Sequence, residues 1–150
     1  MQRRIYNILI LAIVIAFTAC DNYLINGQLD GIWQLQTIER NNPDTIIRNE
    51  GDLFYSFQRH TILIGDYNEP NDIIGQLKNK QYDCLFERIG DSIMMEEFQR
   101  YYIEDNDVPS LTTLKRFGLY EKKNAFHIEE LTIKRLVLRS DSALLTMRRY

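Results

Sequence analysis

Residues 53–66 read Leu-Phe-Tyr-Ser-Phe-Gln-Arg-His-Thr-Ile-Leu-Ile-Gly-Asp, and this stretch decides the fold class. Its first six residues alternate in character, so that Leu53, Tyr55 and Phe57 share one face of an extended chain. A second extended run begins at Thr61 after only two intervening residues. Two strands with so short a connection form an antiparallel hairpin. We therefore predict a hairpin here and a β-rich domain around it.

The rest of the chain repeats this pattern of short extended runs separated by turn residues. Turn clusters lie at 41–44 and 140–142, and Gly90-Asp91 is a tight-turn signal. Eight or nine strands with short connections are typical of an all-β sandwich or barrel. We expect the strands at 32–38, 53–58, 61–66, 73–77, 82–89, 92–98, 126–128, 136–138 and 144–148.

One segment between the strands has a helical pattern. Pro109 can open a short helix, Ser110 can cap it, and Gly118 lies near its end. The apolar residues with near three-residue spacing are Leu111, Leu114 and Phe117. The segment is short, so a turn or a 3₁₀ helix is the alternative to an α-helix.

Two stretches resemble a known family. Gly31-Ile32-Trp33 resembles the Gly-x-Trp motif of the first lipocalin strand. The run 126–132, Phe-His-Ile-Glu-Glu-Leu-Thr, followed by Leu-Val-Leu at 136–138, is similar to the last strands of small lipocalin-like bacterial lipoproteins. The resemblance covers roughly residues 30–150. It implies an all-β fold, an antiparallel up-and-down barrel of about eight strands with one short helix, and a β-sandwich is the alternative.

The resemblance also implies a role for the tryptophan of the first strand. Trp33 would plug one end of the barrel, and an arginine from a late strand would pack across it. Four arginines are candidates for this contact: Arg135, Arg139, Arg148 and Arg149.

The N-terminus has the three-part layout of a secretory signal. Arg3 and Arg4 precede an uncharged apolar run at 8–17, and the small residue Ala19 precedes Cys20. The apolar run is shorter than the roughly 20 residues that a helix needs to span a bilayer. An ordinary cleaved signal with an incidental cysteine and an uncleaved anchor are the alternatives to a lipoprotein signal.

The residues around the cleavage site refine this interpretation. Phe-Thr-Ala-Cys at 17–20 resembles the bacterial lipobox, which implies that Cys20 carries lipid with palmitate-like acyl chains and becomes the new N-terminus. We therefore predict a signal peptide at 1–19, a lipidated cysteine and tether at 20–29, and the barrel domain at 30–150. The membrane would be the first partner. The expected location is the bacterial envelope, with the outer membrane favoured, on its periplasmic or surface side.

The charge balance excludes one class of partner. The chain has 18 basic and 21 acidic residues, a net charge of −3. Loss of Arg3 and Arg4 with the signal leaves 16 basic residues and a net charge of −5. Nucleic acid binding requires a basic surface, so we expect no nucleic acid partner.

Cysteine is scarce. If Cys20 is lipidated, Cys84 is the single remaining cysteine and no intrachain disulfide can form. On an extended strand Cys84 shares a face with Tyr82 and Phe86, so we expect a buried, unreactive thiol.

The sequence contains no set of residues that predicts catalysis. The only histidines are His60 and His127, and His127 has one carboxylate, Glu129, two residues away. The acidic pairs at 96–97 and 129–130 would point to opposite faces of their strands, so neither forms an acid/base pair. We expect no enzymatic activity, no metal and no cofactor.

Two functions remain open. The first is a carrier: a hollow barrel that binds a small hydrophobic ligand through Trp33, Tyr55, Phe57, Phe86 and Leu138. The second is an envelope interaction protein with a filled barrel, whose outer face or rim contacts another protein or a glycan.

Overall fold

The computed structural model describes residues 25–40, 46–48, 52–66, 80–100 and 108–150. Within these ranges the chain forms nine strands, one short α-helix and one 3₁₀ helix at Gly27–Leu29. The α-helix, α1, is Leu111–Lys115. The strands are β1 Gly31–Arg40, β2 Ile46–Arg48, β3 Leu53–Gln58, β4 Thr61–Asp66, β5 Lys80–Ile89, β6 Ser92–Arg100, β7 Asn124–Leu131, β8 Arg135–Arg139 and β9 Ala143–Arg149.

The strands form one antiparallel sheet that closes on itself. Strands β1 and β3 to β9 follow one another around the sheet, and β9 pairs with β1 to complete the ring. Strand β2 is an extra strand that pairs with the second half of β1. The closed eight-stranded antiparallel barrel predicted from the sequence is therefore confirmed, and the sandwich alternative is excluded.

Alternation builds the core. In β3 the residues Leu53, Tyr55 and Phe57 are buried, and each intervening residue is more exposed. The hairpin of β3 and β4 has the predicted bounds, with Tyr55 opposite Ile64. The predicted interior positions of β5 also alternate, and Cys84 is buried there as a free thiol. Period-two patterning of the sequence thus sets which side chains line the barrel.

Two register shifts between neighbouring strands correct the expectation for the acidic pairs at 96–97 and 129–130. Glu97 has a φ of 58°, and the β5–β6 register shifts at this point, so Glu96 and Glu97 both remain outside while Phe98 is buried. A second shift in the β7–β8 register leaves both Glu129 and Glu130 on the outside. The prediction that each pair points to opposite faces was therefore wrong, because an extra residue in a strand interrupts strict alternation.

The two ends of the barrel differ. The floor end comprises the start of β1, the ends of β3, β5, β7 and β9, and the 3₁₀ helix. The cap end is the opposite end and holds α1. Ser110 caps α1 as predicted, since its side chain accepts a hydrogen bond from the Thr113 amide at 3.2 Å. Leu114 and Phe117 are buried, but Leu111 is 39% exposed, so only two of the three spaced apolar residues face the core.

Several expectations fall outside the described ranges. The signal peptide, Cys20, the turn cluster at 41–44 and the predicted strand at 73–77 all lie there. Strand β2 was not expected, because three residues give no detectable period. Among the described residues, no helix is long and apolar enough to cross a membrane.

Candidate functional site: the barrel interior and its two ends

The five residues proposed to bind a ligand all lie in the barrel wall with their side chains buried inside. Trp33, Tyr55 and Leu138 have no exposed surface, and Phe57 and Phe86 are 1% and 4% exposed. The ring centres of Tyr55 and Phe57 lie 6.3 Å apart in a stacked arrangement. Those of Phe57 and Phe86 lie 5.5 Å apart, edge to face. The structure thus brings the aromatic residues together in one cluster.

Other interior residues were not singled out from the sequence. They are aliphatic or sulfur-containing, and their alternation along β1, β4, β6 and β9 was the signal that pointed to them. They include Leu35, Ile62, Ile64, Met95, Leu145 and Met147. Methionine is adaptable in packing, so Met95 and Met147 give this interior some capacity to change shape.

Trp33 seals the floor end. Its indole N–H donates to the carbonyl oxygen of Leu29 at 2.8 Å, and Leu29 is itself fully buried. The guanidinium carbon of Arg149 lies 5.0 Å from the indole ring centre, and its Nη1 donates to the carbonyl oxygen of Gln28 at 2.8 Å. Of the four candidate arginines, Arg149 is the one that packs on Trp33.

Gly31 is the other half of the Gly-x-Trp motif. Its φ is +128°, a value that side chains of L residues rarely adopt. A Cβ atom at this position would lie 2.4 Å from Nη2 of Arg149. Glycine is therefore required by the backbone, and a side chain here would also displace the Arg149 guanidinium from its position on Trp33.

The segment just before β1 is fastened across the floor. Asp30 is buried and accepts hydrogen bonds from the backbone and side chain of Asn26. The Asn26 side chain also donates to the carbonyl oxygen of Arg59, in the β3–β4 turn, at 2.7 Å. Arg88 donates to the carbonyl oxygen of Asn26 at 2.8 Å. Residues 26–29, which the sequence analysis included in the tether, thus pack on the barrel.

Segment 109–119, which we call the cap, covers the opposite end. Leu114, Phe117 and Leu119 are buried against the interior. The Tyr55 hydroxyl donates to the carbonyl oxygen of Phe117 at 2.5 Å, and the Phe117 ring meets Tyr82 edge to face at 6.1 Å. Tyr55 is paired with Trp33 in the β1–β3 ladder, so one tyrosine side chain connects the floor with the cap.

The cap is also held at its edge. Arg116 binds the carboxylate of Asp66 at the end of β4 with an Nη2 to Oδ2 distance of 2.5 Å. The Asp66 side chain is 2% exposed and that of Arg116 is 49% exposed. Gly118 has a φ of +81° and lies so close to Leu145 that a Cβ atom would be 2.3 Å from Cδ2. The cap therefore packs closely, but its ion pair lies at the solvent boundary.

The middle of the barrel is apolar and neutral, whereas the buried carboxylates of Asp30 and Asp66 lie at its floor and cap ends. Burial raises the pKa of Tyr55 well above its usual value, and the neighbouring Cys84 raises it further. Burial, followed by the charge of Asp83, raises the pKa of the Cys84 thiol to about 12. Among the described residues, every fully buried side-chain nitrogen or oxygen has a hydrogen-bond partner. Between these two carboxylates the interior offers a ligand apolar contacts.

Among the described residues, the histidines and carboxylates do not gather into one site. His127 is exposed on the outer wall, and the neighbouring Glu129 forms an ion pair with Arg139. Within the described ranges, no three histidine, cysteine or carboxylate side chains are grouped to hold a metal ion.

The outer surface carries three clefts lined entirely by described residues. The first has a volume of about 450 Å³ on the outer wall of β5 to β8. The second, next to it, is about 260 Å³, and the third, about 570 Å³, lies at the floor end beside the β7–β8 turn. None of the five proposed ligand residues lines any of them. The first cleft is lined by Glu87, Ile89, Ser92, Ile93, Met94, Ala125, Phe126, His127, Arg139, Ser140 and Asp141.

Two solved structures share this architecture. A lipocalin-like protein from Bacteroides uniformis superposes with a TM-score of 0.60 at 19% identity, covering 83% of this chain and 100% of that one. An uncharacterized protein from Bacteroides eggerthii gives a TM-score of 0.56, also at 19% identity, covering 81% of this chain and 98% of that one. At such identity the likeness concerns the fold alone. The comparison with curated proteins gave no match.

A sequence model of a protein family identifies the family of this chain. The model of the lipocalin-like domain matches residues 15–150, which include the Gly-x-Trp motif, the cap and all nine described strands. This chain therefore belongs to the lipocalin-like domain family.

Proposed function

We propose that this protein is a lipid-anchored protein of the bacterial envelope whose barrel binds a small hydrophobic molecule. One observation carries the binding proposal. Between its two ends the interior is apolar and neutral, and it is sealed at the floor by the Trp33–Arg149 contact, while a short segment covers its other end. Apolar pockets with few polar groups are the usual binding sites for such molecules.

Entry of the ligand has to occur at the cap end. Tyr55 reaches from its partner Trp33 at the floor to the carbonyl oxygen of Phe117 in the cap, so a ligand occupies the interior only when the cap moves outward. The contacts that resist this movement are the Tyr55 hydrogen bond, the packing of Phe117 and the ion pair between Arg116 and Asp66. The ligand would replace the buried cap side chains as the apolar filling.

The binding proposal is tested by native mass spectrometry of the purified protein together with solvent extraction of bound molecules. A copurified apolar molecule is the expected result. Phe86→Leu changes the interior wall, whereas Phe54→Leu makes the same change on a strand position that packs against Tyr150 on the outer face. We expect only Phe86→Leu to alter the occupancy. A protein that shows no bound molecule and does not bind fatty acids would contradict the carrier function.

The anchor is supported by the lipobox-like residues 17–20. Expression of the full chain in a bacterial host should give a membrane-bound protein whose mass includes a diacylglyceryl group. Cys20→Ser should release it from the membrane fraction, because two acyl chains give stable anchoring and a protein without them has no comparable attachment. Membrane attachment that survives this substitution would argue against the lipid anchor.

The second candidate function is interaction with an envelope protein. The outer cleft of about 450 Å³ favours it, because Ile89 is 69% exposed at its edge and Glu87, Arg139 and Asp141 surround the apolar part. Ala125→Arg would fill this cleft without entering the barrel. The measurement is crosslinking of the protein to its partners in the envelope. If the protein carries no ligand and Ala125→Arg loses a crosslinked partner, the interaction function is favoured over the carrier function.

A further inference from the structure

We propose that the floor end of the barrel rests on the bilayer surface, with the hairpin tips at Ile89 and Ile133 entering the lipid headgroup region. This inference rests on the proposed lipid anchor at Cys20. It assigns a lipid-contacting surface to the floor and directs the cap toward the aqueous side.

The length of the tether is the first argument. Cys20 lies five residues before Ile25, and an extended chain advances at most about 3.6 Å per residue. The lipidated cysteine can therefore be no more than about 18 Å from Ile25. Asn26 is bound to Arg59 and Arg88 at the floor, so the chain enters the barrel from that side. A lipid on Cys20 consequently holds the floor near the membrane.

The distribution of exposed apolar side chains is the second argument. Among the described residues, the three most exposed large hydrophobic side chains all lie at the floor: Tyr150 at 76%, Ile133 at 72% and Ile89 at 69%. Ile133 is in the β7–β8 turn and Ile89 ends β5. Val108, at 60%, lies just before the cap, and Ile25, at 57%, is on the segment that leads to the tether. Isoleucine side chains at hairpin tips can enter the headgroup region without disturbing the barrel.

The charges near these tips are the third argument. Arg59, in the β3–β4 turn, and Lys134, next to Ile133, form no ion pair with any described residue. Arg88 binds the neutral carbonyl oxygens of Asn26 and Gly90, and it has no ion pair within the described ranges. The acidic residue in the same turns is Asp91. A chain with an overall acidic balance thus has cations at the end nearest its anchor, which suits anionic headgroups.

The test uses fluorescence quenching at single sites in the lipidated full chain. Cys84 is buried with a raised pKa, and a lipidated Cys20 has no free thiol, so a thiol-reactive bimane dye labels only introduced cysteines. The floor variants are Ile89→Cys and Ile133→Cys. The matched control at the cap is Leu111→Cys, which replaces another exposed aliphatic residue. The protein is placed in vesicles of phosphatidylcholine and phosphatidylglycerol that contain nitroxide-labelled lipids.

We expect the lipid nitroxides to quench both floor labels at least threefold more than the cap label. Equal quenching at the two ends, stronger quenching at Leu111→Cys, or no quenching on vesicles that carry the protein would overturn the assignment. Failure of the anchor itself has a different signature: the chain without introduced cysteines would take up dye at Cys20 and would not float with the vesicles. That result would overturn the proposed anchor and, with it, this inference.

A charge-reversal variant tests the third argument separately. Arg59→Glu combined with Lys134→Glu should reduce quenching at Ile89→Cys in vesicles that contain phosphatidylglycerol, and should have little effect in pure phosphatidylcholine. Quenching that does not change in the anionic vesicles would show that these cations do not contact the headgroups and would overturn the charge argument.

Discussion

The guanidinium of Arg149 covers the indole ring of Trp33, with 5.0 Å between the guanidinium carbon and the ring centre. The two residues lie opposite each other where β9 pairs with β1, so this contact joins the last strand to the first. It closes the barrel ring and seals the floor at the same point. The Gln28 carbonyl oxygen, which accepts from the same guanidinium, adds the 3₁₀ helix to this arrangement.

Removal of Arg149 should weaken the fold. Arg149→Ala loses a cation–π contact of about 0.5–2 kcal/mol. It also loses a hydrogen bond to a carbonyl oxygen. We expect a fall of about 1–3 kcal/mol in the free energy of unfolding, measured by urea denaturation. Lys134→Ala is the control. Lys134 is a basic residue at the same end that forms no ion pair within the described ranges, so its removal should change stability little. Equal effects of the two substitutions would contradict the role assigned to Arg149.

Alanine at Gly31 should be costly for two separate reasons. The positive φ strains any side chain, and the new Cβ would overlap the Arg149 guanidinium. Gly90→Ala is the control, because Gly90 has a φ of +61° and open space around it. We expect about 1 kcal/mol of destabilisation for the control. Gly31→Ala should exceed it by about 1–3 kcal/mol, because a φ of +128° is less accessible to alanine than +61° and because the Arg149 guanidinium has to move.

A double substitution separates the two contributions. In the Arg149→Ala background the overlap is absent, so Gly31→Ala should lose much of its excess cost and keep the strain of the backbone. If the cost of Gly31→Ala were the same in both backgrounds, the proposed clash with Arg149 would be wrong. The measurement is the same urea series, evaluated as a double-mutant cycle.

The Cys84 thiol should be unreactive in the folded protein and should make stability fall at high pH. Its pKa rises from 9.0 to about 12 on folding, so the unfolded chain loses the proton first. The contribution of the Cys84 thiol to the free energy of unfolding is therefore at its full value below pH 9. It declines as the pH rises through 9 toward 12. Tyr55, whose pKa is also raised, acts in the same direction. Cys84→Ala should make the fall in stability at high pH shallower. In the unsubstituted protein, a thiol reagent at pH 8 should react with Cys84 only after denaturation. Rapid modification of the folded protein at pH 8 would argue against burial of the thiol.

The hydrogen bond from Tyr55 to the cap should control how readily the cap opens. Tyr55→Phe leaves the Phe117 carbonyl oxygen without this donor and should cost about 1 kcal/mol of stability. Hydrogen exchange of the amides in segment 109–119 should accelerate in the variant. Tyr150→Phe, whose ring lies on the outer surface against Phe54, is the control. Unchanged exchange in Tyr55→Phe would show that this bond does not hold the cap.

The strand pattern was predictable because alternation is a local property of the sequence. Patterns over a few neighbouring residues predicted the hairpin at 53–66, the N-terminal capping of α1 by Ser110 and the burial of Cys84. The bulge at Glu97 was not predictable, since a register shift depends on how the neighbouring strand pairs and leaves no composition signal.

The site was predictable only in part. The five interior residues were identified because they lie on the apolar face of their strands, and the family resemblance indicated an arginine for Trp33. The choice of Arg149 from four candidates required the β1–β9 register, which joins the two ends of the chain. The contact of Tyr55 with the cap also joins residues 62 positions apart, so no local sequence pattern predicts it.

The most direct test of the binding proposal uses the single tryptophan of the chain. Trp33 has no exposed surface and lies at the sealed end of the interior, so dissolved quenchers do not reach it, whereas a brominated fatty acid inside the barrel would contact it. The proposal predicts saturable quenching of Trp33 fluorescence by the brominated fatty acid, with no quenching by iodide in the water. Binding of the same fatty acid without any loss of Trp33 fluorescence would place it on the outer surface and would contradict a ligand site in the barrel interior.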